Sequence, residues 1–186
     1  MSFIAHSLFC SLKFLYLMNL MDDENKITVK TMRDIRGFAF HLLYVAESWD
    51  YSVSIDEIVD MFRSGYDIDI TDDSRAISMA FSVMEEREEL DTIIKPLLKN
   101  WKIDRLGICT LLILRLAIWE LKQKNLPPSI VINEAIELAK NFAEKDSYKF
   151  VNGILDEVCK NLNICDEDHD DSGDSNEQSN DQSDIK

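Results

Sequence analysis

Between Val29 and Ala46 the apolar residues Ile35, Phe38, Ala39, Leu42, Leu43 and Ala46 recur at intervals of three and four, which sets one stripe of a helix against a core. Ser54, with Glu57 three residues on, reads as the capping-box start of a short second helix carrying Ile55, Ile58, Val59 and Phe62, and Gly65 should stop it. A third helix, capped by Asp72 or Asp73, places Ile77, Phe81 and Met84 on one face, and the acidic run after it reads as a solvated surface. Leu90, Ile93, Ile94, Leu97 and Leu98 continue the helical spacing, with Pro96 in a first turn or at a kink.

The stretch from Ile108 to Leu121 is apolar on nearly every side, so it belongs at the centre of the body, with Ile113, Leu114, Ala117 and Ile118 among the most buried residues. Arg115 and Glu120 are its charges. An unpaired arginine there would be costly, so Arg115 is expected to meet a carboxylate such as Glu120 or Glu134. Pro127 and Pro128 open the next helix, where the first amides lack partners anyway. Asp146 or Ser147 caps the last, whose stripe runs through Phe150, Val151, Ile154, Leu155, Val158 and Leu162; Gly153 within it points to close helix packing. Five glycines and three prolines in 186 residues suit long helices with short turns, so the fold class is all-α, with about seven helices and no sheet.

The net charge of -15 argues against unspecific binding to polyanions until it is divided by position. Residues 163–186 carry nine acids against Lys186, whereas residues 1–162 carry 26 acids and 19 bases, which leaves room for a local basic site. Lys30, Arg33 and Arg36, three residues apart, form such an edge near the start of the first helix. The ends read as additions to the body. Residues 1–27 are an apolar N-terminal extension, too interrupted at Lys13 to span a bilayer, and Met21 before Asp22, Asp23 and Glu24 would make a normal soluble start. Residues 28–162 are the helical domain, and residues 163–186 an acidic segment too poor in apolar residues to fold.

Four cysteines at 10, 109, 159 and 165 form no CxxC pair, which fits reduced thiols in a cytoplasmic protein. The scattered His6, His41 and His169 supply no metal-ligand spacing. No phosphate-cradling glycine loop, HExxH or GxSxG is present, so no catalytic residue, metal or cofactor is expected and the chain does not read as an enzyme. On residues alone it is a helical interaction domain.

Three segments say more. Pro128 to Asp156 reads PSIVINEAIELAKNFAEKDSYKFVNGILD, Trp101 to Leu121 ends in ILRLAIWEL, and Arg36 to Tyr44 reads RGFAFHLLY. In order and spacing they resemble the transcription antitermination factor family NusB over roughly Lys30 to Val158. The resemblance implies two stacked helical subdomains and a partnership with NusE, the ribosomal small-subunit protein. It further implies binding of single-stranded boxA-type RNA from ribosomal RNA leaders, within an RNA polymerase antitermination complex. Homodimer formation stays open, and no membrane is involved. Carried over by motif, Arg36, Tyr44, Lys149 and Phe150 join Lys30 and Arg33 as RNA-binding residues, and Asp146 matches a position that couples partner and RNA. Phe150 also lies on the last helix's apolar stripe, where it would be core. The chain departs from the family where Met32, Asp34 and Ile35 thin the arginine cluster, and where Thr110 and Leu111 replace a Glu-Arg pair. The alternatives are a protein-only helical adaptor and a NusB-like domain related to ribosomal RNA methyltransferases.

Overall fold

The structure, a computed structural model, describes residues 26–65, 67–69, 74–99 and 102–164. Along these the chain forms β1 (Lys26–Thr28), α1 (Met32–Ser48), α2 (Ile55–Gly65), β2 (Asp67–Asp69), α3 (Arg75–Glu85) and α4 (Arg87–Ile94). Two 3₁₀ turns follow, Lys95–Leu97 with Pro96 inside it and Ile103–Arg105, then α5 (Ile108–Gln123), α6 (Pro128–Phe142) and α7 (Ser147–Asn161). Helices α1 to α3 pack together as one subdomain, and α5 to α7 with α4 as the other. Both α1 and α3 reach across to α5, so the two subdomains share a core.

Capping chemistry sets where α1 and α2 begin. Thr31 accepts a hydrogen bond from the Asp34 amide while the Asp34 carboxylate accepts from the Thr31 amide at 2.7 Å, so orphan donors at the start of α1 are satisfied reciprocally. At α2 the Glu57 carboxylate accepts from the Ser54 amide at 3.0 Å, and that bond holds the Glu57 carboxyl below its ordinary range. The amphipathic stripe expected for α1 is too narrow: every residue from Arg36 to Leu43 is buried. With α3 against one flank, α5 against another and the Phe142 ring of α6 stacked on Phe40 at 4.7 Å, α1 is as central as α5. The burial expected of α5 is found, with Ile113, Leu114 and Ile118 at 0 % exposure.

Several local expectations change. A sheet exists, though minimal: β1 pairs in parallel with β2, Lys26 opposite Asp67 and Thr28 opposite Asp69. Three residues are too few for alternation to show in sequence, and the pairing satisfies backbone groups that would otherwise need water. It also draws Lys26 and Ile27 into the body, ahead of the expected boundary at 28; the rest of the N-terminal extension, and the acidic segment beyond Ile164, lie outside the described residues. Ser74, not Asp72 or Asp73, caps α3 by accepting from the Ala76 amide. The acidic run after α3 is not wholly solvated, because Glu86 and Glu89 both bind Lys122 of α5 at 2.7 Å.

Gly153 is exposed, and a Cβ built there would meet nothing within 4 Å, so close packing does not account for it. Gly153→Ala is therefore expected to raise stability by about 0.5–1 kcal/mol, the difference in helix propensity. Urea unfolding of the two proteins checks it; a loss of stability would reveal a neighbour that the open space does not show.

Candidate nucleic-acid interface

Elements on three helices position the basic edge of α1. Thr31 and Asp34 fix the first turn, and from it Arg36 points inward and Arg33 outward along α6. The Arg36 guanidinium grips Glu120 of α5 with two parallel hydrogen bonds, Nε to Oε2 and Nη2 to Oε1, both 2.7 Å. Each side chain is only 5 % exposed. Such a planar, bidentate pair is what arginine rather than lysine supplies. Glu134 of α6 lies between the arginines, 2.8 Å from Arg33 Nη2 and 3.7 Å from Arg36 Nη1. The hydrogen bond from Arg33 holds the Glu134 carboxyl below its usual range.

Two of the three cations on this edge of α1 are thus offset by carboxylates. Arg36 has no face toward solvent. Arg33, with 59 % of its side chain exposed, can still reach a ligand, and so can the exposed Lys30.

Arg115 is buried as expected, but its partners are different. Its Nε and Nη2 bond to the two Asp91 oxygens of α4 at 2.8 and 3.0 Å, and its Nη1 bonds to Glu47 of α1 at 2.7 Å. Tyr51 completes the cluster: its hydroxyl donates to Glu47, and burial together with that bond keeps the phenol protonated far above its ordinary range. A left-handed backbone at Asp50 and Tyr51 (φ 53° and 54°) turns the chain sharply enough to bring the ring back over the end of α1. Glu120 and Glu134 were the carboxylates foreseen for Arg115, and Arg36 and Arg33 take them instead. The geometry explains the exchange: α1 and α5 meet with Arg36 near Glu120 and Glu47 near Arg115, so each helix contributes one base and one acid.

Asp146, Lys149 and Phe150 stand together at the start of α7. Asp146 sits at the helix start in the left-handed region (φ 68°) without capping through its side chain, and binds Lys149 Nζ at 2.9 Å on the surface. That bond is the main reason the Lys149 ammonium is held above its usual range. The Tyr148 ring lies between two lysines, 5.6 Å from Lys140 Nζ and 5.7 Å from Lys149 Nζ. Phe150 is half-buried and packs against the core. Tyr44 is also half-buried on α1, and burial raises its phenol above the ordinary range. The turn of residues 143–146 is pinned by Glu144, whose carboxylate accepts from Thr110 and Ser147. That carboxylate occupies the space a Cβ on Gly107 would fill.

Reading by sequence missed Glu120, Glu134 and Glu144 as parts of this surface. A signal existed for the first two, since Arg36 precedes the seven positions Gly37 to Leu43, all of them buried, and an arginine there needs a carboxylate from a facing helix. Among the described residues no helix is long and apolar enough to cross a membrane.

A central pair of helices locked by reciprocal ion pairs, with cations at the starts of α1 and α7, defines a predominantly helical body of two subdomains. Comparison with known proteins gives this class its family. The model of the NusB family matches residues 33–160. The transcription antitermination protein NusB of Macrococcus caseolyticus is 33 % identical over 126 residues, covering 68 % of this chain and 94 % of that protein. That of Borreliella burgdorferi is 36 % identical over 138 residues, covering 70 % and 95 %. Among solved structures, T. maritima NusB is 30 % identical with a TM-score of 0.59 and covers 70 % of this chain and 92 % of its own. A chain from the crystal structure of a plectonemic RNA supercoil is 29 % identical with a TM-score of 0.62, covering 72 % and 97 %. The chain belongs to the NusB family.

Proposed function

We propose that this protein is a non-catalytic RNA-binding antitermination factor that pairs with NusE and binds single-stranded boxA-type RNA of ribosomal leader transcripts. The observation that carries the reading is the family match over residues 33–160, which spans nearly all of the described body and includes both long motifs. The geometry supports it with solvent-accessible cations, Lys30 just before α1, Arg33 on α1 and Lys149 on α7, and with a half-buried Phe150 next to Lys149 in the chain. Lysine and arginine would hold phosphates while the ring stacks on a splayed base. Arg36 acts in this reading through Glu120, fixing the turn of α1 from which Arg33 projects. Tyr44 lies two turns further along α1, and Asp146 sets the approach of Lys149.

Titration of the full chain with a single-stranded boxA-type RNA, alone and with NusE, tests the reading: binding should appear at low salt, weaken as salt rises and tighten with NusE. Phe150→Ala should cost about 1 to 3 kcal/mol of RNA binding, with a folding loss below the roughly 3 to 5 kcal/mol of a fully buried phenylalanine. A protein-only helical adaptor is favoured by one observation, the neutralisation of Arg33 and Arg36 by Glu134 and Glu120. Binding to NusE without binding to RNA would establish that second reading.

A further inference from the structure

The segment joining α4 to α5 carries charge of the opposite sign to the rest of the molecule. Residues 95–105 hold Lys95, Lys99, Lys102 and Arg105 against Asp104, a net charge of +3 in a chain of -15. All four cations are exposed. Among the described residues none of them is in an ion pair, whereas Arg33, Arg36, Arg115 and Lys122 each face a carboxylate within 4 Å.

Its position adds to this. The segment ends at Gly107, against the Glu144 carboxylate, and Glu144 binds Ser147 at the first residue of α7. Further back, Lys99 lies near enough to Glu157, three turns along α7, to reinforce Lys160 in holding that carboxyl below its usual range. Gly107 thus meets the turn that opens α7, while Lys99 faces Glu157 toward the other end of that helix. The carboxylates in between are engaged, Glu144 by Thr110 and Ser147, Asp146 by Lys149 and Glu157 by Lys160.

We propose that Lys99, Lys102 and Arg105, flanked by Lys95, form a second phosphate-binding surface for single-stranded RNA, continuing the path that begins at the starts of α1 and α7. The inference rests on the RNA-binding reading above. It assigns sequence-independent contacts, because lysine and arginine on an irregular, solvated segment meet phosphates and display no fixed fork toward base edges. Its cations are in no ion pair among the described residues, whereas Arg33 and Lys149 of the first surface are each paired with a carboxylate.

The test is a salt titration of the full-length chain and its Lys102→Gln, Arg105→Gln double variant against single-stranded RNAs of about 6 and about 16 nucleotides, the range of length that single binding modules cover. Each single-strand phosphate contact contributes about 0.7 to the slope of log affinity against log salt. The variant should therefore lose about 1.4 of slope with the long RNA and none with the short one, at an unchanged melting temperature. Unchanged slopes with both RNAs, while the unaltered chain binds them, would overturn the second surface and leave the first. Equal losses with both would overturn it too, by making these cations part of the first site. Loss of NusE binding with the RNA slopes intact would assign the patch to a protein. An unaltered chain that binds neither RNA removes the RNA-binding reading and this extension together.

Discussion

Replacing Arg115 with alanine is expected to cost about 3 to 5 kcal/mol of folding stability, the usual penalty for breaking a buried ion pair by removing one partner. The side chain is 7 % exposed and satisfies three groups at once, both oxygens of Asp91 and one of Glu47, while standing 3.1 Å from the Tyr51 hydroxyl. Its removal leaves Asp91 at 16 % and Glu47 at 25 % exposure with their charges uncompensated. It also takes a hydrogen-bond donor away from the Tyr51 hydroxyl. Because Glu47 belongs to the first subdomain and Asp91 and Arg115 to the second, the loss falls on the joint between them. Urea unfolding gives the number. A loss under about 1 kcal/mol, typical of exposed pairs, would mean that water reaches this cluster freely.

Arg36→Ala is expected to fall in the same range of about 3 to 5 kcal/mol, by stranding Glu120 at 5 % exposure on the central helix. A compensated change separates charge from shape. Arg36→Met together with Glu120→Leu should recover most of the loss, since well-packed apolar residues often replace a buried pair at little or no cost. If the double variant is no more stable than the single one, the site depends on the arginine for something other than pairing with Glu120. The same geometry fixes how RNA data on position 36 are read. Weaker RNA binding by Arg36→Ala would follow the fraction unfolded and would vanish in the double variant, whereas a direct phosphate contact would stay lost.

The helices were legible in the sequence; the short strand pair and the side-chain partnerships were not. The spacing of Ile55, Ile58, Val59 and Phe62, the Ser54–Glu57 pair and the continuous apolar run of α5 each have a local cause, and each appears where that cause puts it. Arg36 shows the limit. Its three-residue spacing from Arg33 and Lys30 marks an edge of a helix, yet whether that edge faces water depends on what α5 and α6 bring to it from more than 80 residues away. Arg115 shows it again: the need for a carboxylate followed from burial alone, but the choice among Glu47, Asp91, Glu120 and Glu134 is made by the relative placement of α1, α4, α5 and α6. Gly153 carried no packing role because the face of α7 it occupies is open. Asp67 to Asp69 paired as a strand through backbone groups, which leave no side-chain pattern.

The central claim is a division of labour among the cations, with Arg36 and Arg115 holding the subdomains together and Lys30, Arg33 and Lys149 meeting RNA. The salt dependence of RNA binding by a Lys30→Gln, Arg33→Gln, Lys149→Gln triple variant tests it most directly. Three lost phosphate contacts at about 0.7 each predict a slope shallower by about 2, with stability changed by no more than about 1 kcal/mol because the pairs broken are at the surface. A triple variant with the slope and affinity of the unaltered chain would contradict the account.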